Sequence, residues 1–171
     1  VPGDGVVTLY WDRSAESTQD KYMGNITNGA DLYDFEGYKI YRATDFEFND
    51  AYNITDGDGN PTFLEPYVQN GVRAQWDLVD GKSGWHPVDL NGIKFYLGDD
   101  TGLTHSYVDH NVVNGQRYYY AVVSYDYGGD LSNNIIPSDS PMKLRVNPLT
   151  GAVSLGPNVV EVVPSPPSAG F

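Results

Sequence analysis

The run Asp56-Gly57-Asp58-Gly59-Asn60 sets oxygen-bearing side chains at alternate positions with glycines between them. That spacing lets a backbone curl around a hard cation, which is how calcium loops are built. A helix-flanked calcium loop also needs glycine at its sixth position and a bidentate glutamate at its twelfth. Counted from Asp56, those positions hold Pro61 and Tyr67. What remains is a looser loop in which Asp56, Asp58, Asn60 and Glu65 would hold Ca2+. An acidic β-turn is the plain alternative, because Asp-Gly and Gly-Asn are turn dipeptides in their own right.

A second acidic turn, Gly98-Asp99-Asp100-Thr101-Gly102, has Asp109 and His110 downstream. Paired carboxylates do acid and base work when burial or a neighbouring charge raises one of them. Neighbours in a glycine-flanked turn are ordinarily both solvated, so that reading is weak. His86, His105 and His110 are scattered and lack metal-ligand spacing. The chain has neither cysteine nor a G-x-S-x-G elbow to present a nucleophile. The expectation is a protein that is not an enzyme. Trp76, Trp85, Tyr67 and Tyr96 suit a sugar-stacking platform or a protein interface if exposed. If buried, they form a small local core.

The formal charge is −13, from 23 acidic and 10 basic residues. Such a surface repels phosphate backbones, which speaks against nucleic acid as a partner. It also serves as ordinary anti-aggregation charge on a secreted protein. No apolar run approaches the ~20 residues of a membrane-spanning helix, so membrane insertion is not expected. The 14 tyrosines, 19 glycines and 11 prolines are what an all-β chain with many turns uses.

These groups must be positioned by strands. The stretch Ser106 to Gly129 holds two apolar runs on either side of the turn dipeptide Asn114-Gly115. In the second run Tyr118, Tyr120, Val122 and Ser124 share one face, and Tyr119, Ala121, Val123 and Tyr125 the other. Both faces carry bulk, which predicts a central strand. Val6 to Trp11 predicts a first strand with Val7, Leu9 and Trp11 inward. Glu36 to Arg42 predicts another, with Tyr38 and Ile40 opposing Lys39 and Tyr41. Asp12 to Phe35 is polar and turn-rich and reads as an exposed loop.

The order Tyr107, Asp109, Val112, Gly115, Tyr118, Tyr120, Val122, followed by Ser124-Tyr125-Asp126, resembles the E strand, turn and F strand of a fibronectin type III domain. Val7, Leu9 and Trp11 resemble its B strand, and Gly37 to Arg42 its C strand. Pro137 to Pro141 leads into Met142 to Val146, where that family has its G strand. The resemblance implies an immunoglobulin-like antiparallel sandwich over residues 1–147, in which Trp11, Tyr38, Tyr118 and Tyr120 are structural. Tyr118 would pin the corner between E and F by its hydroxyl. Only five residues precede the first strand, so the family's A strand is expected to be missing, supplied from elsewhere, or cut off with a larger parent.

Residues 43–103 form an insert between strands C and E. It has strand signals of its own at Thr62 to Val68, Ala74 to Val79 and Ile93 to Leu97, which predict an ordered β subdomain. Residues 148–171 add a further strand and a proline-rich end. Val159, Val160, Val162 and Val163 would either complete the sandwich within the chain or pass into a neighbour and build a fibre. The tail and the Asp34 to Arg42 segment resemble modules of large bacterial secreted and cell-surface proteins. The resulting expectation is a structural or adhesive interaction module outside the cell. Its partners would be other surface modules or copies of itself. The competing expectation is a glycan-binding accessory domain of a secreted hydrolase.

Overall fold

The structure, a computed structural model, describes residues 1–55, 61–142 and 144–168, with residues 53–55, 61 and 62 described by their backbone alone. The strands begin with β1 (Pro2–Gly3), β2 (Val6–Tyr10), β3 (Phe35–Ala43), β4 (Tyr52–Thr55) and β5 (Pro61–Leu64). They continue through β6 (Val68–Gln69), β7 (Val72–Arg73), β8 (Gln75–Asp77), β9 (Trp85–Leu90) and β10 (Ile93–Tyr96). The last are β11 (Ser106–Asp109), β12 (Tyr118–Asp126), β13 (Leu144–Val146), β14 (Val153–Leu155) and β15 (Val159–Val162). One short helix, α1 (Lys21–Ile26), lies between β2 and β3.

The fold is therefore antiparallel β with little helix, arranged as a sandwich. One sheet has the order β1-β2-β11 and the other β15-β12-β3-β8. Strands β12 and β3 pair along nearly their whole length, with Val122 opposite Ile40 and Ala121 opposite Tyr41. Gly37 in β3 is required by this packing, because a Cβ there would sit 2.2 Å from the Trp76 carbonyl oxygen. The period-2 alternation sorts the side chains of β12 into two cores. Tyr118 and Tyr120 join Val7, Leu9, Ile40, Val112 and Val162 between the sheets. Tyr119, Ala121 and Val123 face the other way and meet Tyr41, Phe48, Ala51 and Val159 under the insert. A strand buried on both faces is what the bulk on both faces predicts.

Strands β11 and β12 flank Asn114-Gly115 and belong to different sheets, β11 pairing with β2. Several expectations are corrected. The edge of β12 is taken by Val159–Val162, with Val162 opposite Tyr118, and not by Met142 to Val146. The Leu144–Val146 segment instead forms a hairpin with Val153–Leu155. The first sheet also has an outer strand, since Pro2–Gly3 folds back on Val6 and Val7. The supposed loop before β3 contains α1, capped by Asp20, whose carboxylate accepts the amides of Tyr22 and Met23. In the insert, β9 went unpredicted because Pro87 interrupts it. Proline is tolerated there since β9 pairs only with β10.

Candidate functional site

The second face of the central sheet carries polar groups where a purely structural face would be apolar. Lys39 is 5% exposed, and burial drives its pKa down. Its ammonium lies 3.0 Å from Asp139 Oδ1 and 3.6 Å from the centre of the Phe95 ring. The Tyr41 hydroxyl donates to Asp139 Oδ2, and burial, then the Asp139 charge, raises that phenol. Gln75 Nε2 donates to the Tyr96 carbonyl at 2.9 Å and to Tyr125 Oη at 3.1 Å. Tyr125 in turn donates to the Leu97 carbonyl. These bonds fasten the β9–β10 hairpin onto the sheet.

Above this floor the hairpin and residues 63–66 raise walls around a cleft of about 240 Å3. Trp85 stands at its rim, 60% exposed, with its ring centre 5.0 Å from that of Tyr96 in an edge-to-face arrangement. The Arg73 guanidinium lies 5.0 Å from the Tyr96 ring centre and 3.6 Å from Glu65. Aromatic faces for stacking, a guanidinium fork and a charged floor thus converge in a space suited to one small polar group.

The structure separates the four aromatic candidates of the insert. Trp85 and Tyr96 line the cleft. Trp76, opposite Tyr38 in the ladder, turns into the inter-sheet core, where its ring lies 5.8 Å from Trp11 and 5.5 Å from Tyr107. Tyr67 packs against the same core and under the Arg42 guanidinium at 3.8 Å. Of the proposed calcium ligands, Asp56, Asp58 and Asn60 lie outside the described residues, while Glu65 faces Arg73 as above.

The acidic turn at 98–102 is not a carboxylate pair. Asp100 accepts the amides of Asp80 at 3.1 Å and Gly81 at 2.9 Å, and the Gly81 amide is the main cause that holds its carboxyl below the usual range. Asp99 accepts the Tyr96 hydroxyl. The buried Asp77 carboxylate accepts the Asp100 and Thr101 amides at 2.7 and 2.8 Å, which makes the segment a pinned turn. The histidines are dispersed: His86 is buried and Nε2 meets the Gly129 carbonyl at 2.8 Å, His105 contacts Glu16, and His110 is exposed.

Sequence reasoning missed the Lys39–Asp139 floor and Arg73. A lysine in the middle of a strand buried on both faces was the available signal, since such a charge must find an anion. It also missed three carboxylates, Asp20, Asp34 and Asp126, whose ligand atoms lie within 4.8 Å of one another. Burial foremost, and then the charges of Asp126 and Asp20, push Asp34 up to about 6. Glu36 is fully buried with both carboxyl oxygens unpartnered among the described residues. Burial pushes it up to about 8, with Asp80 the next cause. No protein-family model, curated protein or solved structure matches the chain.

Proposed function

We propose that the chain is a non-catalytic recognition module of the fibronectin type III kind, working in an extracellular bacterial assembly and gripping a glycan at the Trp85–Tyr96 cleft. Two features support the fibronectin-like part. The Val113 amide donates to Tyr118 Oη at 3.0 Å, a corner bond five residues back along the chain. The strand orders β1-β2-β11 and β15-β12-β3-β8 match the A-B-E and G-F-C-C′ sheets of that sandwich. The insert at 43–103 is an addition to it. The acidic, turn-rich composition supports a setting outside the cell.

The observation that carries the binding role is Trp85, left largely in solvent against Tyr96 beside Arg73. An indole left exposed at a concave, charged site offers a flat apolar face for a ligand to stack on. Sugar faces stack on such rings while hydroxyls or carboxylates bind the adjacent guanidinium. The test is glycan-array binding of the wild-type chain beside Trp85→Ala and Tyr96→Ala. Binding by the wild type that both variants lose, with unchanged far-ultraviolet circular dichroism, is the expected result. Binding that ignores both substitutions, or no glycan bound at all, rejects the cleft as a glycan site.

A second reading, fibre formation by strand exchange, draws on β15. It lies at a sheet edge among the described residues and pairs over four residues with Tyr118 to Ala121. Such an element is the one most easily traded between copies. A mass that grows with concentration in light scattering supports exchange, and a constant monomer mass opposes it.

A further inference from the structure

Away from the cleft, three parts of the chain bring carboxylates together. Asp20 is the cap of α1, Asp34 immediately precedes β3, and Asp126 ends β12. One ligand atom from each lies within 4.8 Å of the others. Two of the three are held in place by their own hydrogen bonds. Asp20 Oδ1 accepts the Tyr22 amide at 2.7 Å and the Met23 amide at 2.9 Å. Asp126 Oδ1 accepts the Ser138 amide at 2.8 Å, and its Oδ2 the Ser138 hydroxyl at 2.6 Å.

Asp34 is different. Its side chain is nine-tenths buried, and Oδ2 is sealed from solvent with no hydrogen-bond partner among the described residues. Native structures rarely leave a buried carboxylate oxygen so placed, and when they do an ion or water usually completes it. Here the orphan belongs to a cluster of like charges, which compounds the cost. The nearby lysines do not relieve it, because Lys21 is exposed and Lys39 is paired with Asp139. An all-oxygen set of three carboxylates on a partly open groove suits a hard divalent cation, with water completing the shell.

We propose that Asp20, Asp34 and Asp126 form a divalent-cation site of the calcium class. The ion would tie the α1 segment to the start of β3 and the end of β12, locking the long β2–β3 connection onto the central sheet. The site stands apart from the glycan reading and from the Asp56–Asn60 loop.

The test uses the full chain stripped with chelator and then titrated with CaCl2, and separately MgCl2, by calorimetry and thermal unfolding. Ca2+ is expected to bind and raise the unfolding midpoint. Losing even an outer-shell partner weakens metal sites about tenfold or more, so Asp34→Asn, which keeps the shape, is expected to cost at least that much. Asp126→Asn is the second variant, and Asp56→Asn with Asp58→Asn should leave affinity unchanged. In the unsubstituted protein, Ca2+ must also slow amide exchange in α1 relative to chelator. Failure of Ca2+ to bind, wild-type affinity in Asp34→Asn or Asp126→Asn, loss in the Asp56/Asp58 pair instead, or unchanged α1 exchange each overturns the site.

Discussion

Arg42 Nη1 donates to Asp109 Oδ2 at 2.9 Å, and because Arg42 lies in β3 and Asp109 in β11, this ion pair bridges the two sheets of the sandwich. Asp109 is fully buried. It also accepts from the Tyr120 hydroxyl at 2.8 Å, the Tyr67 hydroxyl at 3.3 Å and the Asn111 amide at 2.9 Å. The Arg42 guanidinium is further held by the Asn111 carbonyl at 2.8 Å and lies over the Tyr67 ring. The charge is thus satisfied on every side, which is the condition for a buried pair to be tolerated.

Removing the carboxylate strands the guanidinium and two hydroxyls. Asp109→Ala is expected to cost about 3 kcal/mol in urea denaturation, with a smaller loss for Asp109→Asn. A loss below about 1 kcal/mol, the range of exposed pairs, would show that the bridge is not what joins the sheets.

The corner bond makes a narrower prediction. Tyr118→Phe keeps the ring in the inter-sheet core and removes only the acceptor for the Val113 amide. The loss is expected to be about 1 kcal/mol, read as a lower urea midpoint at unchanged slope.

Glu36 runs the other way. Its carboxyl is buried with no hydrogen-bond partner among the described residues, and an unsatisfied buried polar group costs about 1–3 kcal/mol. Glu36→Met, apolar and of similar length, is therefore expected to raise stability by that order. Urea denaturation at neutral pH checks it, and a destabilised variant would mean that the carboxyl does have a partner.

These residues also show how much was legible beforehand. The alternation along 118–125 announced a strand buried on both faces, because a period of two is a local property. Which segment takes the edge of β12 was not local. Val159 to Val163 has the stronger strand propensity, but propensity does not say which partner a strand takes, and only pairing across the fold settles that. Trp76 and Trp85 are the same residue type in the same insert, and register alone sends one into the core and the other to a rim. Helix α1, at six residues, is too short to show a 3.6-residue period, and Asp20 was its only signal. Asp20, Asp34 and Asp126 are far apart in the chain and share no motif.

Lys39 gives a pH dependence. Burial lowers its folded-state pKa, while unfolded lysine titrates near about 10.4. Between the two values the unfolded chain binds more protons, so stability rises with pH across that window. The urea midpoint is expected to climb as the pH rises from neutral toward about 10, where unfolded lysine and tyrosine begin to lose their protons. Lys39→Met should flatten that limb whatever it does to the absolute stability. An equal slope in the variant would place the titrating group elsewhere.

The tail strand supplies the last prediction. Val162 sits in the core between the sheets and Val159 in the core under the insert, so β15 closes both. Val162→Ala should cost about 2 kcal/mol through lost packing. Val160→Ala, at a position 42% exposed, should stay within about 0.5 kcal/mol. A chain ending at residue 157 should unfold at lower urea, and a synthetic peptide of residues 157–166 should restore it if the groove beside Tyr118 to Ala121 accepts the strand from a separate molecule. Rescue by the peptide would show that the edge of β12 can be filled in trans, the step on which strand exchange between copies depends. A truncated chain that stays unstable with excess peptide would confine β15 to closing its own sandwich.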